Sequence, residues 1–528
     1  MSAMEGNAEK LEALAENLIS PQHSEDRSES DNAFSRPARI KSPDRTQTFL
    51  RVVDVGKLIP EDHPARVIWE ITGRLDLSQF YRGIKAVEGV AGRPVYDPRM
   101  MICLWIYAYS EEVGAAREIG RLCAHDPAYQ WITGFQEINY HSLSDFRIDH
   151  QEALEELFIR VLGVLTSEGL IGEERVSHDG VKIKSFAGAD TFRRQATLQK
   201  HLQQAEELVR KLSAQADAED QSRAAGARRR GARERKERLE AAVQELEKIR
   251  VHKRSTPAKA EPRVSTTEPE SRIMKHADGG YAPSYNVQVS TDTTEGIIVG
   301  MRVTNAACDY GELLPSVEEV QENLGGLPKE VLADGGFTSR ENIIKMDEKG
   351  VEFIGSLRKT EAVSAGQMER RGVTPEYRPD KFRYDDQRDI FVCPAGKNLI
   401  REGKGKRPGQ VIYAYRAKAG DCFACPSKQC CCPTNQSTGR SITRTVDDPA
   451  VEAFITRMET KEAKEIYRQR GRWSEFVNAW IKDKFGLRKF HLCGMGKALM
   501  EMLWACLAYN IKQWIRLRWR GRARVAVC

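Results

Sequence analysis

Apolar positions change their period several times along the chain. From about residue 48 to 170 the spacing is helical. The run 99–109, Arg-Met-Met-Ile-Cys-Leu-Trp-Ile-Tyr-Ala-Tyr, follows Asp97-Pro98, an N-cap with proline at the first helical position. A second helix is predicted over 114–125 and a third over about 143–168, stopped by Gly169. At 175–185 the pattern switches to alternation, the signature of a strand, and strands resume over 285–290 and 296–303. Between them Leu198, Leu202, Ala205, Val209, Leu212 and Ala216 recur at heptad-like spacing, and Leu239, Val243 and Leu246 restart the stripe. This predicts two antiparallel helices joined near Gly226 to Gly231. A helix over 313–324, a strand over 330–333, a capping box Thr338-Ser-Arg-Glu341 opening a helix through Met346, and a strand over 351–357 follow.

Strands alternating with helices imply an α/β core. Residues 358–445 interrupt it with Arg, Lys, Gly and Pro and short strand-like pieces such as 389–392 and 411–415, which read as a small β-rich insertion. Helices return over about 451–483 and 497–518, where Leu503, Trp504, Leu507 and Ile511 form a stripe read as core packing. The expected organisation is a disordered tail over 1–45 and an all-helical N-terminal domain over 46–170. A core over 171–357 is interrupted by a helical hairpin at 190–255. The insertion over 358–445 comes next, and C-terminal helices over 446–518 complete the core.

Composition narrows the function classes. Lysine and arginine total 82 against 76 acidic residues, a net charge of +6 in 528 residues, so any nucleic-acid footprint must come from local clustering. Arg223, Arg228, Arg229, Arg230, Arg233 and Arg235 form one such cluster in the hairpin; it reads either as a solvated surface or as a phosphate clamp. Arg117, Arg121 and Arg147 sit on short helices that permit a helix-turn-helix-like DNA contact, although an ordinary bundle with solvated arginines is the more usual arrangement. No run reaches the ~18 apolar residues of a membrane span, and no secretory leader is visible, so the expectation is a cytoplasmic protein.

The 12 cysteines are unevenly placed. Cys422-Phe-Ala-Cys425 has zinc-knuckle spacing, and Cys393 with a later cysteine such as Cys430 would complete a tetrahedral structural zinc site; reduced free thiols are the alternative.

Three acidic residues stand in unlike settings. Asp179 lies in Val176-Ser-His-Asp-Gly, Asp334 in Val331-Leu-Ala-Asp-Gly-Gly, and Glu475 in the basic run Tyr467-Arg-Gln-Arg-Gly-Arg-Trp-Ser-Glu. Asp-Gly is also a hairpin signal, and Asp278-Gly-Gly280 reads as such a turn. Asp334 differs because a capped helix, not a returning strand, follows it. At 100° per residue Arg468, Arg472 and Lys482 share a helix face with Glu475, a face suited to a polyanion. His178 reads as structural. Two strand-end carboxylates and one on a helix can hold two Mg²⁺ ions about 3.5–4 Å apart for in-line phosphoryl displacement.

On these residues the chain resembles the DDE transposases of bacterial insertion sequences, in the branch with a Tyr-Arg-Glu-Lys signature. The matching residues are Asp179, Asp334, Tyr467, Arg470, Glu475 and Lys482, with a helical N-terminal part ending in His141-Ser-Leu-Ser-Asp-Phe-Arg. The resemblance implies an RNase H-like mixed-sheet core, two Mg²⁺ (or Mn²⁺) ions on Asp179, Asp334 and Glu475, and DNA-phosphate contacts by Tyr467, Arg470, Arg472 and Lys482. It further implies cleavage and strand transfer at terminal inverted repeats of double-stranded DNA, by a homodimer on paired ends. The usual three-residue gap between arginine and glutamate is four here, and helical geometry favours Arg472 or Arg468 over Arg470. Glu465 and Glu462 are alternative third carboxylates. A catalytically inactive DNA-binding protein and a nuclease without strand transfer are the competing readings.

Overall fold

The structure, a computed structural model, describes residues 52–86, 94–172, 174–216, 222–253, 261–357, 366–434 and 437–519; the tail expected over 1–45 lies outside them. The chain enters through helices α1 (Pro64–Arg74), α2 (Pro98–Ser110), α3 (Ala116–His125), α4 (Pro127–Thr133), α5 (Tyr140–Asp149) and α6 (Gln151–Ser167). Three of them begin alike. His63, Asp97 and Asp126 each precede a proline and accept an N–H two residues on, so the side chain caps an amide that the first turn leaves unpaired. The helix predicted over 143–168 is two helices, broken at His150, whose ring packs against Phe80 and Phe146. Arg147 is a buried strut, 3% exposed, donating to the Gly114 carbonyl at 2.7 Å and lying over Trp105. That rules it out as a DNA contact. Arg121 pairs with Glu118, and Arg117 lies over Tyr140.

The core sheet starts with β1 (Arg175–Lys184). A side excursion follows: β2 (Phe192–Arg193), α7 (Gln195–Ala216), α8 (Arg223–Lys253) and β3 (Val264–Ser265), with β2 and β3 paired at its base. Leu198 and Ala205 of α7 pack with Leu239, Ala242 and Leu246 of α8. Gly226 and Gly231, where the sequence suggested the joint, lie inside α8 instead. Their cost of about 1 kcal/mol each is outweighed by the Ala, Arg, Glu and Lys around them. Glu268, 1% exposed, fixes the base by accepting from Ala187 N (2.8 Å), Tyr285 Oη (3.1 Å) and Gly494 N (2.7 Å).

The sheet continues through β4 (Arg272–Lys275), β5 (Tyr281–Asp292), β6 (Ile298–Thr304), α9 (Leu313–Leu324), β7 (Glu330–Leu332), α10 (Arg340–Glu348) and β8 (Glu352–Ile354). Among the described residues the strand order is β4-β5-β1-β7-β8, with β6 also on β5. Strands β4, β5 and β6 are antiparallel to their neighbours, whereas β7 runs parallel to β1 and β8 parallel to β7. This is the mixed sheet expected of the core. The cap of α10 is Ser339, accepting from Asn342 N at 3.0 Å, one residue later than the capping box placed it, because Thr338 donates instead to the Asp334 carbonyl.

The insertion is a second sheet, β9 (Arg383–Asp385), β10 (Ile390–Val392), β11 (Asn398–Arg407), β12 (Gln410–Ala417) and β13 (Ser441–Asp447), antiparallel throughout. Helices α11 (Pro449–Met458), α12 (Lys461–Ala479) and α13 (Met495–Trp514) close the chain. Helix α13 is buried at nearly every position from Ala498 onward, and the N-terminal helices, β1, β5, β6 and α13 share one apolar core. Asn510, fully buried, docks α13 on β6: its Oδ1 accepts from Ile298 N at 2.9 Å and its Nδ2 donates to the Ile298 carbonyl at 2.8 Å.

Replacing Asn510 with leucine keeps the volume but strands both Ile298 main-chain groups. The expected loss is about 2–4 kcal/mol of stability, read as a lower urea midpoint at unchanged slope.

Candidate active site

Strand pairing brings the two aspartates together. Strand β1 runs parallel to β7 with Ser177 opposite Leu332. Asp179 and Asp334 each lie two residues beyond that pair. An even offset keeps a side chain on the same sheet face, and adjacent strands lie about 4.8 Å apart. Asp179 and Gly180 therefore form no turn; they are mid-strand, opposite Val289 and Gln288 of β5. Asp334 does sit at a chain reversal, its Oδ1 accepting from Gly336 N at 2.7 Å.

Asp179 is half-buried. Its Oδ1 accepts from Gly180 N at 2.9 Å and its Oδ2 from Asn478 Nδ2 at 3.0 Å. Burial pushes its carboxyl up to about 6; the charges of Asp334 and Asp309 push the same way, and Arg470 opposes them. Such a crowd of carboxylates around a partly desolvated oxygen is a place where cation binding is favourable. The amide of Asn478 points the same way, since its buried Oδ1 has no hydrogen-bond partner.

Helix α12 presents Arg470, Ser474 and Asn478 at four-residue spacing, and Lys482 continues the stripe in the single π-turn that follows. This stripe faces the aspartates. Arg470, its side chain 17% exposed, supplies the main cation acting on Asp179 and lies over the Tyr467 ring. Burial, with Arg488 adding to it, holds the Lys482 ammonium below the usual lysine range; Asp483, Asp179 and Asp278 oppose that shift. The face argument favoured Arg472 or Arg468, yet Arg472 lies over Trp473 and the exposed Arg468 pairs with Glu465. Glu475 lies a quarter-turn round from the stripe. Its side chain is 73% exposed and 4.0 Å from Arg470, folded back over Gly471, where an added Cβ would meet Oε1 at 3.2 Å. Thus Asp179, Asp334, Arg470 and Lys482 converge, while Glu475 stands at the rim.

His178 is buried with both ring nitrogens engaged, to Ser290 Oγ at 2.9 Å and Gln288 Oε1 at 3.0 Å. Burial lowers its pKa to about 4, so it stays neutral. Sequence reasoning missed Asn478 and Asp309. Asp309 Oδ1 accepts from Asn286 Nδ2 (2.7 Å) and Gln288 Nε2 (3.0 Å) and lies so close over Gly180 that a Cβ there would meet it at 2.4 Å. Only glycine allows that approach. Neither residue carries a local signal, because each reaches the site through strand pairing or helix docking.

The cysteines of the insertion do not form the expected zinc set. Cys393, Cys422, Cys425, Cys431 and Cys432 line one small cavity, whereas Cys430, on the short helix Lys428–Cys431, is exposed to solvent. Cys393 and Cys422 sulfurs accept N–H from Lys397 (3.2 Å) and Arg440 (3.3 Å), and burial pushes the Cys431 thiol up to about 12. Among the described residues no three His, Cys, Asp or Glu side chains are arranged to hold one metal ion. Two carboxylates, the open Asn478 oxygen and a rim glutamate are what the site offers a divalent cation.

The raised Asp179 pKa fixes a sign. A carboxyl titrating near 6 when folded and near 3.8 when unfolded destabilises the fold as pH rises from about 4 through 6. The cost is complete above that window, at about 3 kcal/mol for two units. In metal-free buffer Asp179→Asn is expected to be more stable than wild type at pH 7.5 and equal to it below pH 4, as followed by urea unfolding at both values.

No helix among the described residues is long and apolar enough to cross a membrane. A search of curated proteins finds no significant match. Two families do match. The transposase domain family DUF772 covers residues 53–149, the N-terminal helices, and the transposase DDE domain family covers residues 247–511, half of the chain. Asp334 and Glu475 lie within the second span, and Asp179 lies before it. With an RNase H-like mixed sheet, two aspartates at equal offsets beyond the last β1–β7 pair and both family matches in hand, the chain belongs to the transposase DDE domain family of bacterial insertion sequences.

Proposed function

We propose that this transposase cuts and joins DNA strands at the terminal inverted repeats of its own element, using divalent metal held by Asp179, Asp334 and Glu475. The observation that carries the reading is that Asp179 and Asp334 each stand two residues beyond Ser177 and Leu332, the last pair of the parallel strands β1 and β7. The raised pKa of Asp179 and the unpartnered Asn478 oxygen support metal at this point. Two Mg²⁺ or Mn²⁺ ions there would activate the attacking water or 3′ hydroxyl and stabilise the leaving 3′ oxygen.

The chain's own residues do the rest. Asp179 is held in one rotamer by Asn478 and Gly180. Glu475, free of packing at the rim, swings from Gly471 toward the aspartates when the site is loaded. Arg470, backed by Tyr467, faces the scissile phosphate and offsets its charge; Lys482 and Arg472 bind flanking phosphates. No serine or tyrosine nucleophile is required, since in-line displacement needs no covalent enzyme intermediate. The protein is inferred to work in the cytoplasm on double-stranded DNA, as a homodimer on paired ends, with the N-terminal helices adding DNA contacts. Those contacts come from faces other than the one carrying Arg147, which is buried.

With Mg²⁺, the purified protein is expected to nick a duplex carrying the element's terminal repeat. Asp334→Ala is expected to lower the cutting rate by about 10²-fold or more, the scale seen when one preorganised charge-stabilising group is lost, with duplex affinity within twofold of wild type in a gel-shift assay. Undiminished cutting by Asp334→Ala would falsify the site assignment.

A further inference from the structure

Strand β7 pairs with β1 only over Arg175 to Ser177, and the same edge of β1 is covered again at Lys184. There Lys184 N donates to the Arg488 carbonyl at 3.2 Å and Phe490 N donates to the Lys184 carbonyl at 2.9 Å. Between these two closures the strand edge has no strand partner among the described residues, and Asp179 lies in that interval. At about 3.3 Å per residue, Asp179 to Lys184 spans roughly 17 Å, the axial rise of about five base pairs.

Cations collect toward the Lys184 end. Lys182 and Lys184 alternate along one side of β1, and His276, bonded through Nε2 to Ser284 Oγ at 2.7 Å, sits beside them. Burial lowers the pKa of His276, and the charges of Lys184, Lys482 and Lys182 lower it further against the opposing charge of Asp278, so three lysines lie within electrostatic range of one ring. Lys489, brought alongside by the bridge at Lys184, lies over the half-exposed ring of Phe186 at 5.8 Å. Among the described residues Lys182, Lys184, Lys482 and Lys489 form no ion pair with a carboxylate, whereas Arg488 is paired with Asp483. A surface lysine usually has the choice of a nearby acid. Lys182 and Lys184 lie at odd offsets from Asp179 and so on the other face of β1, but the four lysines gather where the edge closes at Lys184, and such a cluster without a carboxylate partner is complementary to a polyanion.

We propose that Lys182, Lys184, Lys482 and Lys489 form a phosphate track that holds the DNA strand running away from the scissile phosphate, and that this open edge of β1 sets its direction. The proposal rests on the transposase reading above and adds Lys182, Lys184 and Lys489, which no motif singles out. The contacts are to the backbone, so they give affinity and register without base specificity.

The test is binding of a fluorescent duplex carrying the element's end, by anisotropy in EDTA over a salt series. The full-length protein is compared with Lys182→Ala/Lys184→Ala/Lys489→Ala and with a charge-matched control, Arg223→Ala/Arg230→Ala/Arg233→Ala on α8. The lysine variant is expected to bind at least about tenfold more weakly at 0.1 M salt, with the salt slope smaller by about 2–3, one contact per lysine. The arginine control is expected to change affinity by less than threefold. Equal losses in both variants, or an unchanged slope in the lysine variant, overturn the track. Should the alanine variant melt early, Lys184→Gln/Lys489→Gln replaces it, with the salt slope expected to fall by about 1–2 for two contacts. Binding is read without Mg²⁺. A wild type that binds along the track yet never cuts with Mg²⁺ refutes the catalytic reading alone.

Discussion

Helix α13 is the constraint on which the rest of the molecule depends. It carries scarcely any polar surface from Ala498 to Trp514 and is enclosed by the N-terminal helices on one side and the sheet on the other. An all-round apolar helix has no stable place except inside a core. Two of its buried polar side chains tie it to its neighbours. Asn510 clasps Ile298 of β6, and Glu501, fully buried, accepts main-chain N–H from His491 and Leu492. The second contact pins the loop that returns from the π-turn to β1. Through it, the burial of α13 fixes where α12 lies against the aspartates.

The active-site face then follows from ordinary secondary-structure geometry. Two strands in parallel register set two carboxylates on one face, and a helix crossing them offers every fourth residue. Fixed cations and carboxylates are interleaved around a partly dry cleft, where their interactions are stronger than in water. Asp309, held by Asn286 and Gln288, adds a further negative charge from beneath Gly180. The fold tolerates this concentration of like charge because burial raises the Asp179 pKa to about 6, leaving the carboxyl partly protonated just below neutral pH.

Much of the fold was legible in the chain. The proline-led helix start at Asp97-Pro98, the alternation over 175–185 and the apolar stripe ending at Ile511 each have a strong local cause, and each appears as an element. What sequence could not show is pairing. Asp179-Gly180 looks locally like a turn, and only the ladder to β5 makes it mid-strand. Helical periodicity groups Arg468, Arg472 and Lys482 with Glu475, but docking turns the Arg470–Asn478 stripe toward Asp179 and leaves Glu475 beside it. Cys430 fitted a spacing rule and ended in solvent, because a four-residue helix turns it away from Cys393 and Cys422. Gly226 and Gly231 suggested a bend that helix-forming neighbours override.

The hydrogen bond from Asn478 to Asp179 joins residues 299 positions apart, and the helix that secures the loop behind it is later still. Contacts of such long sequence separation form late, because the entropy of closing the loop is lost before any contact repays it. During synthesis β1 is made early, then waits through the hairpin excursion and the whole inserted sheet for its helical partner. A chain arrested before Met495 lacks the centre of its main core as well as the clamp on Asp179. Assembly of the candidate site is therefore tied to the late arrival of α13: the clamp on Asp179 is secured only when that helix is enclosed by the fold.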